Sequence, residues 1–131
     1  MKLRRLMLPL LKLKMIRKYT DRTGIKFYVL CGFPTVGVQD ILDTFKRIEL
    51  LKRYRCYPYI MRYQSKDDAP YKHSEWASFY NLIARWCNQP RFFWKTTLKQ
   101  FAEFSQQYTK SECAPVRMVK KWENEVGELT V

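Results

Sequence analysis

Apolar residues along this chain fall into two rhythms. From Ile25 to Cys31 they run almost unbroken as "IKFYVLC", rich in aromatic and β-branched side chains, which predicts a buried strand. "YPYIMRY", Tyr57 to Tyr63, predicts a second strand, with Pro58 among its first residues, where proline is tolerated. Between the two the period changes. Ile41, Phe45, Ile48 and Leu51 recur at helical spacing and predict a helix over 38–54. Asp40 and Asp43 near its start, and Lys52 and Arg53 near its end, suit the helix dipole. Asp43–Arg47 and Glu49–Arg53 are favourable pairs one helical turn apart. A strand, a helix of this length and a strand form a βαβ unit, with parallel strands and a right-handed crossover.

The flanking segments read as helices. Residues 2–19 predict a basic helix with Leu-rich faces, kinked or started near Pro9. Its expected role is to pack on its own domain, because the sheet that follows needs cover. Binding to a membrane surface is the alternative for a basic helix with apolar faces. "TDRTG", "GFPTVG" and "QSKDDAPYK" are turns or polar loops. Ser74 is a good N-cap for a helix over 75–87, whose Trp76, Phe79, Tyr80, Ile83 and Trp86 line one broad core face. "NQP", Asn88 to Pro90, stops that helix. Thr97 and Gln100 have capping-box form, so a last helix runs to about Tyr108 with Leu98, Phe101, Phe104 and Tyr108 inward. Beyond Lys110 lies a mixed tail with a short helix near 116–125. The organisation predicted is a basic helix (1–19), an α/β domain (20–109) and a tail (110–131). Two parallel strands make a poor sheet, since parallel sheets ordinarily have several strands and both faces covered. Either more strands exist, or the chain is one part of a larger α/β structure.

The chain has 131 residues, enough for one domain with a real core. With 47% hydrophobic and 16% aromatic residues and only four glycines, it is not composed like a disordered chain. The net charge of +13 adds a preference for something anionic, although the basic residues are scattered and not gathered in one tail. Cysteines stand at 31, 56, 87 and 113, and His73 is the only histidine. No C-x-x-C and no zinc spacing occurs. The basic, Leu-rich start is broken by Lys12 and Lys14 and lacks a cleavage site, so it reads neither as a secretory signal nor as a transmembrane segment. Reduced thiols in a cytoplasmic protein are therefore expected, with Cys31, Cys56 and Cys87 as small core residues.

In parallel α/β folds, ligands bind beyond the carboxyl ends of the strands. The loops Gly32–Gly37 and Gln64–His73 fall there. Gly32 allows close backbone approach, Thr35 offers a hydroxyl, and Arg62 can pair with a carboxylate or phosphate. The plainer reading is that Gly32 and Pro34 shape a βα turn. There is no G-x-G-x-x-G, no P-loop and no Ser–His–Asp order, and Asp67-Asp68 reads as a solvated pair.

"FYVLCGFPTVGVQDILDTFKRIELLKRYRCYPYIMRY", Phe27 to Tyr63, resembles the later part of a radical S-adenosylmethionine (radical SAM) domain. The matching features are the strand Tyr28–Cys31, Gly32-Phe33-Pro34, Thr35, the helix-opening Asp40 and the strand Pro58–Met61. "IARWCNQPRFFWKTTLKQF", Ile83 to Phe101, resembles the closing segment of some members. The chain lacks the family's C-x-x-x-C-x-x-C, whose thiolates hold a four-iron cluster. It also has Thr35 where an acidic residue sometimes follows the loop glycine.

The resemblance implies an α/β fragment of a partial (βα) barrel, the C-terminal portion of such a domain, from a truncated or split reading frame. Gly32, Phe33 and Thr35 would border S-adenosylmethionine, and Ile60, Met61 and Arg62 would lie beside its adenine or the substrate. The 4Fe-4S cluster would come from an N-terminal segment encoded upstream, and the chain alone would be inactive, with no catalytic or metal residues of its own. Two other readings stand beside it. A small basic nucleic-acid-binding protein is one, from the charge and from "RFFWK" and "KRYRCYPYIMRY". An interaction module docking through its aromatic helix is the other.

Overall fold

The βαβ unit predicted from the two rhythms is present. The computed structural model describes residues 2–131, with side chains from Leu10 onward. Strand β1 (Lys26–Cys31) is followed by helix α2 (Val38–Arg53) and strand β2 (Tyr57–Arg62), after helix α1 (Lys2–Tyr19). The strands are parallel and in register from Lys26 opposite Tyr57 to Cys31 opposite Arg62. Ile41, Phe45, Ile48 and Leu51 are all buried, as the helical spacing requires.

A 3-10 turn (Pro70–His73) leads to helices α3 (Ala77–Cys87), α4 (Pro90–Lys95), α5 (Leu98–Gln106) and α6 (Ala114–Glu125). α3 is central. Trp76, just before it, and its Phe79, Tyr80, Ile83 and Trp86 are buried. Trp122 of α6 meets Phe45, Phe79 and Trp76 at ring-centroid distances of 5.4, 5.2 and 5.5 Å. Such aromatic pairs add ~1 kcal/mol each to their burial. Ser74 accepts from the Trp76 N–H at 3.0 Å, so its capping turn comes one turn before α3 begins at Ala77. Thr97 and Gln100 form the predicted capping box. The last residues belong to the same packing, since the Leu98 N–H donates to the Val131 carbonyl at 2.9 Å.

Two expectations change. "NQP" ends α3, but Pro90 also opens α4, because proline at a first helical position loses only an N–H that has no partner there. Phe104 and Tyr108 do not point inward. α5 stops at Gln106, and these rings meet edge to face, centroids 5.7 Å apart, on the surface. α1 spans the predicted residues 2–19, so of the two roles expected for Pro9 it does not start the helix. It packs on its own domain: Leu13 is fully buried, and Arg17 donates to the carbonyls of Tyr54 (2.7 Å), Arg55 (2.9 Å) and Arg22 (2.7 Å).

The sheet is one-sided, which corrects the expectation of a buried first strand. Val29 and Cys31 of β1 and Pro58 and Ile60 of β2 face the helices and are buried. The alternate residues Lys26, Tyr28, Leu30, Tyr59 and Met61 are exposed, because successive side chains in a strand point to opposite faces. The two edges also differ. The Tyr57 N–H donates to the Ile25 carbonyl and the Tyr63 N–H to the Cys31 carbonyl, so the backbone groups of Lys26, Tyr28 and Leu30 point away from β2. Among the described residues no hydrogen bond reaches them. On the far side of β2, the Asn88 amide accepts from the Ile60 N–H at 2.7 Å and donates to its carbonyl at 3.2 Å. Pro58, on that same side, has no N–H to offer. β2 ends the sheet; β1 leaves it open.

Candidate functional site

The loops after β1 and β2 do meet at the carboxyl ends of the strands. A Cβ placed on Gly32 would lie 3.6 Å from the Tyr71 Cβ and 3.9 Å from the Tyr63 nitrogen. Phe33 stacks on Tyr63 with centroids 4.6 Å apart. Gly32 has φ +73°, a conformation that glycine adopts without the Cβ penalty other residues carry. Its need for glycine comes from that angle.

The loop is fixed from beneath by Asp40, in the first turn of α2. Its carboxylate is 6% exposed and accepts from the Gly32 N–H and from the Tyr80 hydroxyl, both at 2.7 Å. The Gly37 N–H in turn donates to the Tyr80 oxygen at 3.0 Å. One carboxylate and one phenol thus tie both glycines of the loop to α2 and α3. Buried polar groups must be paired in this way, since each unpaired one costs roughly 1–3 kcal/mol. Burial raises the Tyr80 phenol's pKa, and the Asp40 charge adds to the rise against the Gly37 bond. Burial, then Asp40, push the Cys31 thiol up to about 12, opposed by Arg47 and Arg62.

The six residues expected to border a cofactor do not share one surface. Phe33 and Thr35 are exposed on the loop, and the Phe33–Pro34 peptide is cis. The Gly32 N–H is already committed to Asp40. Ile60 is 2% exposed and faces α3, whereas Met61 is 42% exposed on the opposite face. Arg62 is half-buried. Its Nη1 donates to Asn81 Oδ1, and its guanidinium lies 5.6 Å from the Tyr71 ring centroid. That leaves one oriented cation at the end of β2 and an exposed hydroxyl on the loop, with a shallow depression against the loop lined by Val36, Gly37, Val38, Pro70 and the run His73 to Trp76, which includes the Glu75 carboxylate. His73 Nε2 pairs with Asp68 Oδ1 at 2.7 Å, both side chains exposed, and this bond holds Asp68 below the usual carboxylate range.

Sequence reading missed Tyr80, Asn81 and Asn88 as polar anchors and gave Asp40 only a dipole role. Tyr80 is hidden in an apolar stripe; its hydroxyl is the only sign that it does more than pack. Asn88 sits in a helix-stop tripeptide, and nothing local shows that its amide reaches β2.

No family model, no curated protein and no solved structure matches the chain. Among the described residues no helix is long and apolar enough to cross a membrane, and no group of three or more His, Cys, Asp or Glu side chains is placed to hold a metal ion. The thiols do not fit an iron–sulfur cluster. Cys31, Cys56 and Cys87 are buried in the core, and burial raises the pKa of each, which disfavours the thiolate that would bind iron.

Proposed function

We propose that this chain is the C-terminal portion of a radical SAM-like partial barrel, supplying cofactor-proximal and substrate-side surface and inactive without a cluster-bearing segment. The observation that carries the reading is the sheet's asymmetry. A parallel βαβ sheet finished at β2, open at β1 and bare on one face is what the last two strands of a larger parallel sheet look like by themselves. In that arrangement the helices form the outer layer, and Lys26, Tyr28, Leu30, Tyr59 and Met61 line the inner wall. Arg62, oriented by Asn81 and Tyr71, offers a charge-assisted contact to a carboxylate at the strand ends. Thr35 adds an exposed hydroxyl. The cluster lies outside this chain, so no radical step is assigned to its residues.

The test is the upstream coding sequence and its product. The reading expects an adjacent frame encoding C-x-x-x-C-x-x-C, whose product copurifies with this chain on coexpression. Absence of such a frame leaves the chain a remnant of such a domain, and iron–sulfur reconstitution that loads this chain alone with a stoichiometric cluster overturns the reading.

A further inference from the structure

We infer that the open face of the sheet is a stacking surface for single-stranded nucleic acid. Tyr28 and Tyr59 sit side by side on adjacent strands, with ring centroids 5.6 Å apart at 80°. They are 66% and 38% exposed. Next to them along the strands lie Leu30 and Met61, also exposed, and just past the strand ends Phe33 stacks on Tyr63. From Tyr59 to Tyr63 the strand direction advances ~13 Å. That provides two aromatic stations joined by an apolar strip, far enough apart for two bases of one extended strand with another nucleotide between them. Every base has a π-face, so such a platform needs no particular sequence.

Charge complements the rings. The Lys26 Nζ lies 5.6 Å from the Tyr28 centroid and 5.1 Å from that of Tyr59, so a cation stands at the first station. Just below the strand starts, the Arg17 guanidinium is taken up by backbone carbonyls, among them those of Arg22 and Arg55, which fixes the backbone there while the Arg22 and Arg55 side chains stay exposed. Asp21 pairs with Arg55 there. No acidic residue occurs in β1, in β2 or in the loop Gly32–Gly37. A phosphate backbone can therefore follow the basic end while bases lie on the rings, and the chain's net charge of +13 favours the encounter. The occupant is a single strand, because bases stacked inside a duplex cannot lie on side-chain rings. The inference uses the face that the partial-barrel reading turns inward; it is made for this chain by itself, and binding is measured on this chain alone.

The experiment is fluorescence anisotropy of labelled oligo(dT) and oligo(U) of about twelve nucleotides, titrated with the chain at several salt concentrations. The expected result is binding that weakens with salt, with DNA and RNA compared to show which strand is preferred. Tyr28→Ala and Tyr59→Ala should each weaken binding about tenfold at every salt concentration, while Tyr28→Phe keeps it. Lys26→Ala should reduce the salt slope by about one. Tyr108→Ala, 74% exposed elsewhere, should change nothing. Circular dichroism checks the fold of each variant; Tyr28→Phe guards against misreading a folding defect. Undiminished binding by both folded alanine variants, a duplex bound as tightly as the single strand, or no binding at low salt overturns the inference.

Discussion

Asp40 does two jobs with one carboxylate. It occupies the first turn of α2, where a negative charge is favoured, and it closes the loop above it through Gly32 and Tyr80. Asp40→Ala should leave a buried N–H unpaired and lower stability by about 3 kcal/mol in denaturant unfolding. Asp40→Asn keeps an acceptor and should cost about 1 kcal/mol. Equal losses would mean that the charge, not the hydrogen bonds, holds the loop. The thiols give a second residue-level expectation. In the unfolded chain a cysteine ionises near ~8.5, whereas folded Cys31 keeps its proton up to about 12. Cys56, Cys87 and Tyr80 are raised as well. The unfolded state therefore releases these protons first, and stability should fall as pH rises from roughly 9 toward 12. Thermal melts across that window check it; a flat profile contradicts it. At neutral pH, half-buried Cys113 should react with a thiol reagent ahead of the three core cysteines.

At the scale of elements, most of the architecture was readable before any coordinates. Period alone locates β1, α2 and β2, and the aromatic spacing of α3 identifies its buried face. What failed has local causes. Phe104 and Tyr108 match the inward spacing of α5, but the helix ends at Gln106, so one ring lies on the rim and the other beyond it. α4 is only six residues long, too short for a period to register, and is opened by a proline that also reads as a stop signal. "IKFYVLC" looks buried on both sides because Tyr28 and Leu30 are apolar; no sequence pattern tells a covered face from a bare apolar one. Of the candidate site, the meeting of the two loops was legible from topology. The clamp beneath them was not, because Tyr80 reaches Gly37 and Asp40 across 43 and 40 positions in sequence, just as Asn88 reaches Ile60 across 28. Asn88 is the element-level device most open to test. Asn88→Ala should strand the Ile60 N–H and carbonyl and destabilise the fold by about 2 kcal/mol. Asn88→Gln should recover little, since a longer side chain misplaces the amide. A neutral Asn88→Ala in denaturant unfolding would show that water serves that edge equally well.

For the whole molecule, the helices and the sheet tell different stories. Among the described residues the helical layer is well packed: the face of α3 is buried, Trp122 closes the aromatic cluster, and Val131 is tied back to α5. The sheet is complete on one side only. Unpaired strand edges invite pairing, and natural proteins usually cover or charge them; here the exposed groups of β1 carry Lys26 beside two apolar residues. The partial-barrel proposal and the nucleic-acid inference both start from this asymmetry, one from the edge and one from the face. Residue-resolved amide hydrogen exchange on the isolated chain tests it most directly. The account predicts fast exchange at Tyr28 and Leu30, whose N–H groups point outward, and strong protection at Val29 and at Ile60, which is held by Asn88. Protection of Tyr28 and Leu30 to the level of Val29 would contradict it, because the open edge would then already be covered.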